Sequence, residues 1–152
     1  MESLPKNVPL IETIYDGLIP IALIVSHRFE KHGVTFFTDN HLSQQLAYMR
    51  HPKGKTIDPH FHNPVLRRVE LTQEVLLIRR GRLRVDFYDQ NKKYLSSRVL
   101  EAGDVILLMQ GGHGFEVLEE LEMFEVKQGP FIGEQDKTRF ETHLPKELKF
   151  GY

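Results

Sequence analysis

The stretch GKTIDPHFHNPVLRRVELTQEVLLIRRG, residues 54–81, decides how the rest of the chain is read. At its centre His60 and His62 flank Phe61. In an extended segment, side chains two residues apart leave the same face, so both imidazoles can converge on one point. A carboxylate on the following apolar run, Glu74, and a histidine downstream, His113, would complete a four-ligand set of three neutral imidazoles and one anionic oxygen. Glu70 has the same strand parity as Glu74 and is its rival as a ligand. Glu74 also has a plainer reading, as an ion-pair partner of Arg79 or Arg82.

Around this stretch the composition is that of an ordinary soluble domain. The chain has 152 residues, which suits one domain. A formal charge of -1 offers no broad basic surface, so neither nucleic acid nor membrane is an expected partner. There is no cysteine, which excludes disulfides and leaves imidazole and oxygen as the metal donors. The opening MESLPKNVPL has neither a basic nor an apolar leader region, and the longest apolar run, Leu18 to Val25, is far short of a membrane span. A cytoplasmic location is the default expectation.

Working outward, residues 1–10 read as an arm, and Ile19 to Phe29 as an edge strand because Pro20 stands near its start. Val34 to Phe37 is a short strand, Ser43 to Arg50 reads as strand, and His51 to Gly54 as a turn. Strands are expected at Ile57–His62, Thr72–Arg80, Leu83–Tyr88, from Arg98, and at Val105–Met109, with a turn at Gly81. Phe115–Leu118 and Leu121–Lys127 read as a hairpin across Glu119-Glu120. The polar tail carries a short helix around Gln135 to Phe140. Many short strands separated by turn signals predict an all-β sandwich or barrel.

Two motifs carry a resemblance. Gly54, His60, His62, Glu74 and Gly81 resemble the first motif of the cupin superfamily, and Gly103, Gly111 and His113 resemble the second. Residues 63–73 make the gap before Glu74 longer than in the family, so the glutamate is assigned by its spacing to Gly81. The resemblance implies a double-stranded β-helix, a small jelly-roll barrel with an N-terminal strand or arm over residues 1–45, a barrel core over 46–127 and a tail over 128–152. It implies a homodimer with an exchanged N-terminal strand, and one divalent transition metal held by His60, His62, Glu74 and His113.

That ligand set neutralises about half the charge of a divalent ion and suits iron, manganese, nickel or zinc. Open coordination positions would polarise a substrate oxygen. With iron the expected chemistry is a dioxygenase; with a redox-inert ion it is an isomerase or epimerase, using Glu70 or Glu125 as base. The substrate is expected to be a small polar metabolite, a sugar or organic acid. Tyr48, Phe115 and Phe124 are candidate lining residues, and Arg80 is taken from the cluster Arg67, Arg68, Arg79, Arg80, Arg82 and Arg84 as a candidate anion contact. A non-catalytic sensor or small-ligand-binding protein is the alternative, and a metal-free structural barrel a third reading. His27, His32, His41, His51 and His143 read as surface residues.

Overall fold

Strands that line a core need side chains that alternate between core and solvent, and the described residues form eight strands in two sheets. In the computed structural model, which describes residues 7–151, these are β1 (Ile11–Asp16), β2 (Ile19–Val25), β3 (Gly33–Phe36), β4 (Ala47–Arg50), β5 (Glu74–Tyr88), β6 (Tyr94–Glu101), β7 (Val105–Leu108) and β8 (Gly112–Lys127). The expected arm of residues 1–10 lies largely outside the described residues. The fold is all-β, and its main antiparallel sheet curls into a half-barrel. Among the described residues no helix is long and apolar enough to cross a membrane.

The chain divides into two compact units. The smaller, Glu30–Leu71, is built on the β3–β4 hairpin, with Gly33 opposite Arg50 and Phe36 opposite Ala47. The connection between the strands is held by its own polar groups. Thr38 Oγ1 donates to Gln45 Oε1 and accepts from the Leu46 amide, while Gln45 Nε2 donates to the carbonyls of Asp39 and Leu42. Residues 55–70 contain no strand. The expected strand at Ile57–His62 is therefore corrected. Pro59 removes a ladder donor from this short segment, Pro64 follows directly after it, and its exposed side chains show no buried face to fix a register.

The larger unit comprises residues up to Phe29 and those from Thr72 onward. Its strand order is β1-β2-β7-β5-β6, with β8 along the other edge of β5. β2 is thus internal, flanked by β1 and β7, which corrects its reading as an edge. Pro20 is tolerated because it pairs with Tyr15 where the β1–β2 register shifts, a bulge that needs no donor from it.

Two expected turns are absent. β5 runs through Gly81 and β8 through Glu119-Glu120, and the two pair along nearly their whole length. The pairing slips between Ile78 and Leu83, and successive bulges of this kind bend a ribbon sharply. Gly81 sits there with φ +86, and a Cβ on it would lie 2.0 Å from the Glu120 carbonyl oxygen. β7 pairs with the first half of β5 and β6 with the second. The bend folds these halves over one core, in which Ile24, Leu76, Ile78 and Ile106 from one side meet Leu83, Val85, Phe87 and Leu100 from the other.

Buried polar groups lock this arrangement. Arg98 on β6 reaches Glu12 on β1 with Nε 2.9–3.0 Å from the two carboxylate oxygens, and both side chains are largely buried. Removing one partner of such a pair strands the other at a cost of about 3–5 kcal/mol. Asp86, also buried, accepts from Arg84 Nε and Nη2 at 2.9 and 3.1 Å and from the Ser97 hydroxyl. Asp104, also buried, accepts from the amide and Nδ1 of His27 at 2.7 and 2.9 Å, while the His27 side chain itself is exposed, as its reading from sequence expects.

Gly81→Ala combines a left-handed φ with a backbone clash, whereas Gly17→Ala carries only the φ of +59 with open space around it. Chemical denaturation is expected to show a loss of about 1 kcal/mol for Gly17→Ala and about 3 kcal/mol or more for Gly81→Ala.

Candidate functional site

In a straight strand Glu74 and Phe87 would be roughly 40 Å apart. His113 is the β8 partner of Phe87. Yet His113 Nε2 lies 3.5 Å from Glu74 Oε2, because the bend at Gly81 turns the two ends of β5 toward each other. Glu74 is buried, and pairing with His113 holds its carboxyl below the ordinary carboxylate range against the opposing effect of burial. Lys127 and Lys137 add to the depression through their charge.

This pair lines a cleft of about 620 Å³ on the inner face of the sheet. Leu76, a core residue, forms part of its floor, and Phe115, Met123 and Glu125 extend the wall along β8. Alternation explains the selection: Met123 and Glu125 face the cleft, while Phe124 between them is exposed and meets Arg79, whose guanidinium carbon is 6.0 Å from the ring centre. Tyr88 closes one end. Burial pushes its hydroxyl above the usual value, the Asp86 charge adds to this, and a hydrogen bond with Thr142 works against it.

The remaining wall comes from the tail, at residues 136–142. In place of the expected helix around Gln135 to Phe140 there is one 3-10 turn, Gly133–Asp136, too short and too exposed to bury an apolar face. The tail is pinned individually by side chains. Thr72 Oγ1 donates to Asp136 Oδ1 at 2.6 Å, and Phe140 meets Tyr88 edge to face with ring centres 5.3 Å apart. Phe140 lies so close to Gly112 that a Cβ there would be 3.1 Å from its ring. Further along, the Lys149 amide donates to Tyr94 Oη and its carbonyl accepts from the Ser97 amide.

The other sequence candidates take different places. Arg80 is engaged by Glu120 and Glu122, each at 3.1 Å. Arg79, Arg82 and Arg84 face glutamates in the same way, and Arg68 pairs with Glu70. Arg68, Arg79 and Arg80 thus form exposed ion pairs, worth little individually, while Arg84 belongs to the buried Asp86 group. Tyr48 lies on β4 of the smaller unit, as His60, His62 and Glu70 lie in its irregular segment. The two imidazoles of His60 and His62 are neighbours, with ring centres 5.3 Å apart. His60 Nδ1 donates to the Asp58 carbonyl at 3.0 Å, which leaves the Nε2 lone pair available to a ligand.

The described metal donors thus come in pairs, Glu74 with His113 and His60 with His62. Catalytic metal centres commonly use three protein ligands. Among the described residues, no group of three or more histidine, aspartate or glutamate side chains is placed to hold an ion. Sequence reading missed Thr72, Tyr88, Lys137 and Phe140. The one available signal was Phe140, a large apolar residue in an otherwise polar run between Lys137 and Glu141. No family profile, curated protein or solved structure matches the chain.

If the Tyr88–Phe140 contact holds the tail against the cleft, Phe140→Ala removes an aromatic pair worth about 0.5–1.5 kcal/mol. Limited proteolysis of that variant is expected to cut first after residue 128, while the wild-type tail resists.

Proposed function

We propose that the protein is a cupin-type jelly-roll barrel that takes a small polar metabolite, a sugar or organic acid, into the cleft beside Glu74 and His113 and acts on it with a divalent transition metal. The observation that carries this reading is the buried Glu74 carboxylate 3.5 Å from the more exposed His113 imidazole, both lining one cleft of a curled sheet. The sequence resemblance adds His60 and His62 as metal donors and a homodimer. Iron, manganese, nickel and zinc all suit imidazole and carboxylate. When bound, such an ion polarises a substrate oxygen.

The chain's own groups supply the rest. Tyr88 Oη is a neutral donor toward a ligand oxygen, and Phe115, Met123 and Phe140 give part of the wall an apolar surface. Glu125 lines the cleft and is the better placed of the two candidate bases; Glu70 is exposed and paired with Arg68. An isomerase or epimerase uses such a base, while iron would favour a dioxygenase. A second reading, a non-catalytic ligand-binding or sensor protein, is favoured by the mutual pairing of Glu74 and His113, which is complete without an ion.

Elemental mass spectrometry on tag-free protein tests the metal. About one transition metal per chain is expected, lost in the His60→Ala, His62→Ala variant and in the Glu74→Gln, His113→Ala variant. Absence of metal, with no uptake of iron, manganese, nickel or zinc, would contradict the metalloenzyme and leave the binding protein.

A further inference from the structure

The smaller unit, Glu30–Leu71, has no apolar core of its own. Thr38 is its one buried residue, while nine of its large apolar side chains are exposed. The β3–β4 hairpin shows this most plainly. Val34 is opposite Met49, and Phe36, two residues along, shares their face. These three are 48%, 57% and 61% exposed, whereas Thr35 and Tyr48 on the reverse face are half-buried. The hairpin thus turns its apolar side outward, the inverse of the alternation that a sheet with one wet face adopts. In the irregular segment that follows, Phe61 and Leu66 are 86% and 100% exposed.

A two-stranded ribbon is marginally stable until more strands or a packed face support it. The area says what can cover this one. Val34, Phe36 and Met49 expose roughly 300 Å², so two copies of the hairpin face would bury about 600 Å², short of the ~1,200 Å² at which stable interfaces begin. All nine side chains expose on the order of 1,000 Å², and two copies of that surface reach the range of a stable dimer. We propose that Glu30–Leu71 is the dimerisation unit, its hairpin face and the segment after it meeting the same surface of a second copy about a twofold axis. This rests on the homodimer reading above and moves its interface away from an exchanged N-terminal strand. β1 is paired with β2, and β2 with β7, within their own sheet, so neither strand lacks a partner. Charge also suits a second copy. The chain's formal charge of -1 does not oppose self-association, and Arg50 and Glu30, 2.9 Å apart beside the hairpin face, give a border of both signs that is complementary to itself.

Sedimentation velocity of the untagged full chain at micromolar concentrations tests this. The wild type is expected at twice the chain mass. Phe36→Glu and Met49→Lys are each expected to weaken association at least about tenfold, and Leu18→Glu, on the exposed β1–β2 turn of the larger unit, to leave it unchanged. Because the chain has no cysteine, Met49→Cys and Leu18→Cys each add a single thiol. A flexible bis-maleimide is expected to join Met49→Cys into a covalent dimer and to leave Leu18→Cys as single chains, which keeps the test decisive where a charge on the hairpin prevents folding. A wild type that stays at the mass of one chain would overturn this inference together with the homodimer. A dimer that survives both hairpin charges, or that cross-links through Leu18→Cys and not through Met49→Cys, would overturn this surface and leave the homodimer standing.

Discussion

The bend of the β5–β8 ribbon at Gly81 is the constraint on which the rest depends. A fifteen-residue strand cannot stay straight in a domain of this size without exposing half its apolar side chains. Bulges around residue 81 let one strand serve two halves of the sheet, so that β7 and β6 pair with successive stretches of the same edge. The same bend that closes the core brings Glu74 to His113. Fold and candidate site share one cause, the close passage of the Glu120 carbonyl over a residue without a side chain.

Folding a sheet on itself leaves polar groups inside, and the chain satisfies them locally. Arg98 with Glu12, Arg84 and Ser97 with Asp86, and His27 with Asp104 each join segments distant in sequence or place a charge where it is fully bonded. Such pairs add less net stability than apolar replacements would, but they penalise every register in which they are broken. The tail follows the same rule. Its described residues hold no secondary structure beyond one 3-10 turn and are positioned by Thr72, Tyr88, Tyr94 and Ser97 through single contacts.

The all-β class was legible because alternation in Leu83–Tyr88 and the β-branched runs at Ile19–Val25 and Val105–Leu108 leave little room for helix. The pairing of Glu74 with His113 was also foreshadowed, since both belonged to the expected donor set. What was hidden follows from what sequence pattern does not encode. Gly81 and Glu119-Glu120 look like turns, and a bulge uses the same residues as a turn; only the partner strand distinguishes them. His60 and His62 have the right parity for a strand, but parity matters only where a neighbour supplies hydrogen bonds, and prolines on both sides weaken that segment. Lys137 and Phe140 gave almost no signal, because their position depends on contacts from three other parts of the chain.

Taken together, the cleft joins a rigid floor made by the bent ribbon to a wall made by a tail held at a few points. Binding residues are disproportionately carried by irregular segments that a rigid scaffold positions. The most direct test of this account is amide chemical-shift mapping of the isotopically labelled protein during titration with small polar metabolites. Perturbation of Glu74, Tyr88, His113 to Phe115 and Lys137 to Thr142 by one ligand is predicted, since both ends of β5 and the tail meet there. Shifts confined to one end of β5, or located on the outer face of the sheet, would contradict the account.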